Sequence, residues 1–162
     1  MSDERYLIKR QDIETMEGLR KSHFLNPNAT RVNKSLGDMT GLTGMGFHII
    51  EVEPGCETTE HHLHHHEDEC VYILAGSGTA TIGDEEFAVE AGDFLGYRKG
   101  GKAHSIKNTG DELLRCIVAG ERRAHDVGDY PRLRKRVYRN DGMKWNLVDF
   151  DAIAEPTAGA KK

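Results

Sequence analysis

From residue 44 onward, apolar residues fall in short runs separated by glycine-rich or acidic turns. The runs are "GFHIIEV" (46–52), "TTEHHLH" (58–64), "CVYILA" (70–75), "GTATIG" (78–83), "FAVE" (87–90), "FLGY" (94–97), "AHSIKN" (103–108) and "LLRCIVAGE" (113–121). Each has strand length, and the connecting "EPG", "DEE", "AGD" and "TGDE" supply the residues that tight turns favour. About eight such strands predict an all-β chain, an antiparallel double-sheet jelly roll or small β-barrel, since folding the sheet onto itself removes exposed edges.

The flanks read differently. Residues 1–43 are polar and irregular, with a short helix expected around "DIETMEGLRK" and a breaker at "NPNAT". They are expected to form an N-terminal arm that packs on the barrel or on a partner subunit, with residues 44–121 as the barrel core. Residues 122–162 are expected to be a short, irregular, basic C-terminal extension, in which "KWNLVDFDAI" adds a last strand or helical turn before a frayed tail. No internal repeat is present, so the pattern predicts one barrel.

Composition narrows the class. A chain of 162 residues suits a single domain, and 37% hydrophobic with 30% charged residues is an ordinary globular balance. No apolar run approaches the roughly 18 residues of a membrane span, and the start lacks a signal peptide's apolar core, so no membrane contact and a cytoplasmic location are expected. A net charge of −5 argues against nucleic acid as a partner, because neutralising phosphates needs a cationic surface. The basic stretch "RRAHDVGDYPRLRKRVYR" carries no recognition-helix pattern and reads as a solvated or subunit-packing face. Three cysteines, Cys56, Cys70 and Cys116, fit buried thiols and not a disulfide framework.

The chemistry concentrates in "EHHLHHHEDEC" (60–70), which holds five of the nine histidines. Side chains two apart on a strand share a face, so a His-x-His pair aims two nitrogens at one point. Two such pairs exist, His62 with His64 and His64 with His66. Glu67, Asp68 and Glu69 can each supply a carboxylate, and imidazole with carboxylate suits divalent first-row metals. Glu69 shares strand parity with Val71 and Ile73, and Asp68 with Cys70, Tyr72 and Leu74; periodicity leaves open which face points inward.

The stretch "PGCETTEHHLHHHEDECVYILAGSG" resembles the first motif of the cupin superfamily, and "GDFLGYRKGGKAHSIKN" resembles the second. The resemblance covers about residues 44–121. It implies a cupin jelly-roll barrel with His62, His64, Glu69 and, from the second motif, His104 as ligands of a divalent metal such as Fe, Mn, Ni or Zn. Four residues separate His64 from Glu69 and six separate Glu69 from Gly76, whereas the rival pair would place Cys70 or Val71 where the motif has Glu. Arg98 stands where proline is usual, and the turns before His62 and His104 are each one residue longer than the pattern.

On this reading His61, His65 and His66 are not ligands, His23 and His125 are ordinary polar residues, and the alternation around His48 leaves open whether it faces the pocket. The implied function is a metal-dependent enzyme, of oxygenase, isomerase or lyase type, acting on a small oxyanionic acid or sugar chelated at the three-His, one-Glu site. The alternative is a non-catalytic small-molecule sensor with a structural or ligand-holding metal. Family resemblance also implies a homodimer. No catalytic residue is assigned, although Tyr72 or Tyr97 could carry a proton if its side chain turns inward.

Overall fold

In the computed structural model, residues 5–159 are described. The chain opens with a short helix α1 (Arg10–Thr15), a hairpin of β1 (Leu19–His23) and β2 (Asn26–Ser35), a helical turn α2 (Leu36–Met39) and β3 (Met45–Val52). Then follow β4 (Leu63–His64), β5 (Glu69–Ala75), β6 (Ser77–Ile82), β7 (Glu85–Glu90), β8 (Phe94–Tyr97), β9 (His104–Lys107) and β10 (Leu114–Glu121). Three further strands, β11 (His125–Tyr130), β12 (Lys135–Asn140) and β13 (Asn146–Asp149), complete the fold, with one 3-10 turn (Pro131–Leu133) between β11 and β12 and another (Phe150–Ala152) after β13.

These strands form antiparallel sheets ordered β1-β2-β3-β10-β5-β8, β13-β12-β11-β4 and β7-β6-β9. The expected all-β jelly roll is what the structure shows. Its apolar core lies between the first and third sheets, where Ile50, Val52, Val71, Ile73, Ala80, Val89, Leu95, Ile106, Leu114 and Cys116 pack together. Strand β5 shows why: Val71 and Ile73 are buried, while the alternate Tyr72 and Leu74 face out at 41% and 39% exposure. That period of two resolves the parity question in favour of Glu69, Val71 and Ile73 as the inward face.

Both flanks hold more strand than their composition suggests. "NPNAT" does not break the chain, because the Asn26 side chain accepts the amides of Asn28 and Ala29 and turns them locally, after which β2 pairs with β3. The hairpin therefore extends the six-stranded sheet. The basic segment after residue 122 forms β11 and β12, in which cations pair with acids: Arg136 grips Asp129 through two bonds, and Lys135 meets Asp149 at 2.5 Å. Charge pairing across the ladder substitutes for the apolar alternation that marks a strand in sequence.

Between Pro54 and His62 the chain crosses from one sheet to another. Glu57 and His62 bridge singly to Lys107 and His104 on the β9 side, and Leu63 and His64 then pair with Asp129 and Gly128 of β11. The expected long strand is accordingly reduced to the two residues of β4, because its partner changes midway.

Asn108 pins this crossing. Fully buried, its amide donates to the carbonyls of Val52 and Glu112, both at 2.8 Å, and its oxygen accepts the Gly110 amide. Asn108→Ala should strand the buried Val52 carbonyl and unpair two part-buried groups, at a cost of about 1–3 kcal/mol. Urea unfolding should show a lower midpoint with an unchanged slope.

Candidate metal centre

The bridge between His62 and His104 sets two imidazoles side by side, with His62 N–H donating to the His104 carbonyl at 3.1 Å and the reverse bond at 2.8 Å. His64 follows two residues later on the same side, held by pairing to Gly128 and by the Gly100 amide, which donates to its carbonyl at 2.7 Å. Glu69 enters from the inward face of β5, where it is paired with Gly120 and Tyr97.

Each of the three imidazoles has its Nδ1 beside an oxygen. His62 Nδ1 lies 2.8 Å from the Glu60 carbonyl, His64 Nδ1 lies 2.7 Å from Asp126 Oδ2, and His104 Nδ1 lies 3.4 Å from the Lys102 carbonyl. Carbonyl and carboxylate oxygens only accept, so in each ring Nδ1 carries a hydrogen and Nε2 is the nitrogen available to a metal. His62 Nε2 and His64 Nε2 face each other at 3.1 Å, a separation that needs either a proton on His64 or a cation between them. His104 Nε2 is buried without a hydrogen-bond partner and sits 3.5 Å from Glu69 Oε1. A divalent cation can take the place of the shared proton, with the ring nitrogens and the Glu69 carboxylate as its donors.

Ligand atoms of His62, Glu69 and His104 lie within 4.8 Å of one another, and His64 joins through its contact with His62. Three of the four predicted ligands are thus brought together, and the fourth, His64, adjoins them at His62. Burial pushes the His62 imidazole down to about 3, leaving its lone pair free at neutral pH. Burial opposes charge on Glu69, yet the facing imidazoles outweigh it and hold the carboxyl down at about 2.

A second layer supports the first. Burial also works against charge on His64, but Asp126 and Glu69 raise its imidazole above the ordinary value. Arg139 binds both Asp126 and Glu67, and Asp126 further accepts the His66 amide. His64, Glu67 and Asp126 form another close group of ligand-type atoms. There, however, the Arg139 guanidinium already supplies the positive charge, so these carboxylates orient His64. Sequence reading missed Asp126 and Arg139 because they lie some sixty residues beyond His64, in a stretch whose charges looked solvated.

The remaining histidines are engaged elsewhere. His61 Nδ1 lies 3.3 Å from Ser105 Oγ, His65 Nε2 lies 2.9 Å from Asp129, and His66 uses its backbone. His48 borders the pocket and receives the Asn33 amide at 3.3 Å. Tyr72 points outward. Tyr97 points inward, its ring stacked on His104 with centroids 3.6 Å apart and its hydroxyl buried without a partner.

The centre lies in a cavity of about 460 Å³ lined from all three sheets, with β9 contributing His104, Ser105 and Ile106. Tyr130 lines it, with its ring 6.1 Å from that of His62. The Leu25 amide donates to His23 Nδ1 at 3.1 Å, so the hydrogen of His23 is on Nε2 and points to the Tyr130 oxygen at 3.3 Å. Burial, with help from Arg31, lowers His23 to about 4 and keeps this ring neutral. The Tyr130 O–H consequently has no acceptor among the described residues and is free to donate into the cavity. Burial holds the phenol protonated by lifting it to about 12.

Residues 48–120 match the cupin domain family. A solved structure from Acidithiobacillus ferrooxidans described as "Putative sugar phosphate isomerase" is 51% identical, covers 94% of this chain and 97% of its own, and superposes with a TM-score of 0.90. A cupin-superfamily sugar phosphate isomerase from Silicibacter pomeroyi (22% identical, 87% and 92% covered, TM-score 0.76) shares the fold. So does a predicted oxalate decarboxylase from Thermotoga maritima (23% identical, 67% and 94% covered, TM-score 0.55). No curated protein matches the chain. The chain belongs to the cupin superfamily.

Two outcomes follow from this geometry. Protein purified without a histidine tag should carry about one equivalent of divalent metal. Elemental analysis should show the metal lost in His62→Ala and His104→Ala and kept in His66→Ala, while Asp126→Asn weakens affinity by about 10- to 100-fold. His23 titrates lower folded than unfolded, so between pH 6.5 and about 4 the unfolded chain binds more protons and stability falls as pH falls. Thermal unfolding across that window should show a shallower pH dependence in His23→Gln.

Proposed function

We propose that this chain is a metal-dependent isomerase of a small phosphorylated sugar, with a divalent cation held by His62, His64, Glu69 and His104. The observation that carries the reading is the grouping of His62, Glu69 and His104 ligand atoms within 4.8 Å of one another, with His64 beside His62, in a ligand-sized cavity. Similarity to the Acidithiobacillus structure supports the choice of reaction and substrate class. When bound, the metal acts as a Lewis acid toward neighbouring carbonyl and hydroxyl oxygens.

The protein's own groups do the rest. Tyr130 offers its free O–H to a sugar oxygen, with His23 fixing the direction of that hydrogen. Tyr97 braces His104 through the stacked ring. Ile50, Val71 and Val118 give the cavity apolar walls that limit water around the reacting carbons. Interconverting an aldose and a ketose moves protons between adjacent atoms and needs no external oxidant or reductant.

The same reading includes a cytoplasmic homodimer. Three free thiols are at home in a reducing compartment. Pairing of two copies is supported by the outer face of the six-stranded sheet, where Tyr72 and Phe94 are cross-strand neighbours and stand 41% and 65% exposed. No helix among the described residues is long and apolar enough to cross a membrane.

Proton NMR in D₂O over a panel of small aldose and ketose phosphates tests the activity. Interconversion with deuterium appearing beside the carbonyl is expected, abolished by a chelator and restored by Fe, Mn, Ni or Zn. Tyr130→Phe should lower kcat by about 100-fold with a smaller change in KM. Binding without turnover, for every metal and every sugar phosphate, would instead establish a sensor. Gel filtration should give a dimer, and a monomer at micromolar concentration would remove that part of the reading.

A further inference from the structure

Lys21 and Arg31 are directly opposite one another in the β1–β2 ladder, and both line the cavity of the candidate metal centre. Like charges at directly paired positions destabilise a sheet. Neither cation is relieved by a carboxylate of its own. Arg31 is bonded to the neutral Thr58 carbonyl, and its Nε–H is buried with no partner. The carboxylate whose field reaches it is Glu69, already turned toward three imidazoles. Lys21 feels Asp38, which is committed to Arg122 and Ser35.

A guanidinium whose Nε–H is buried without a partner is unfavourable unless an anion compensates it, and the exposed Lys21 cation opposite adds a smaller, solvent-screened repulsion. What would relieve both is an anion of charge about −2 with several acceptor oxygens, small enough to sit between paired residues. A phosphate monoester has this form. The free Nε–H of Arg31 matches one phosphate oxygen through the fork of its guanidinium, and Lys21 adds a mobile point charge.

We propose that the Lys21–Arg31 pair is the docking site for the phosphoryl group of the substrate, separate from the metal centre but within the same cavity. It rests on the isomerase reading only in placing the sugar end of the same molecule at His62, His64, Glu69 and His104. The site itself holds any phosphate monoester dianion. The phosphoryl group is thereby kept away from the cation, leaving the carbonyl and hydroxyl oxygens to reach the metal and Tyr130.

Inorganic phosphate is the probe, titrated calorimetrically into the purified protein in chloride buffer. Arg31→Met should weaken binding by at least about tenfold and Lys21→Met by about three- to tenfold. His104→Ala should leave it within about twofold, because the metal is not the anchor. Without phosphate, Lys21→Met should unfold at a higher temperature than the parent, and phosphate should raise the parent's unfolding temperature more than the variant's; a lysine with a merely structural role would do the reverse. Should Arg31→Met fail to fold, Arg31→Lys, which keeps the charge and loses the fork, should still bind more weakly than the parent.

Unchanged phosphate affinity in both Lys21→Met and the Arg31 variant overturns the site, as does binding lost only in His104→Ala. Phosphate bound at Lys21 and Arg31 without isomerisation of any sugar phosphate overturns the isomerase reading and leaves the docking site standing.

Discussion

Two buried imidazoles and a part-buried one, whose Nδ1 hydrogens are all claimed by oxygen acceptors, cannot turn away from one another. With the Glu60 and Lys102 carbonyls and the Asp126 carboxylate in place, each Nε2 is turned inward. Two of them stand 3.1 Å apart. The arrangement pre-positions these nitrogens for a cation, which binds in place of the proton His64 otherwise carries. Much of the surrounding structure serves to impose that condition: the His62–His104 bridge, the short pairing of β4 with β11, and the arginine-bound carboxylates behind His64 all restrict where these rings can go.

The jelly roll divides the labour along its length. One end is filled by aliphatic side chains from the first and third sheets, anchored by Asn108, and carries the stability that the other end gives up. Toward the other end, all three sheets enclose a polar cavity with lone pairs, a free phenol and cations that lack counter-charges. Such groups lower stability while the cavity holds only water. They become useful when a ligand of complementary charge takes their unmet bonds.

The flanking segments are part of this cavity and not merely attached to it. Strand β1 and strand β2 contribute Lys21 and Arg31 to its lining, and β11 and β12 contribute Tyr130 and Arg139. None of these was visible as a site residue in the linear pattern, because strand pairing of oppositely charged or polar side chains leaves no apolar alternation to read. Asn26 and the two-bonded Arg136–Asp129 pair show the same thing: a local polar contact, formed only on folding, does the work that hydrophobic periodicity does in the core strands.

By itself the sequence determined the strand series from residue 44 to 121, the inward parity available to Glu69, and the spacing that sets His62, His64, Glu69 and His104 apart from the other histidines. Those features are local, since strand period and turn chemistry act over a few residues. Only the tertiary structure decided which way each ring is protonated, that Tyr97 faces in and Tyr72 out, and that Asp126, Tyr130 and Arg31 come to the same cavity. These depend on partners distant in the chain, and a hydrogen-bond acceptor or an uncompensated charge exists for a side chain only once folding has placed its neighbours.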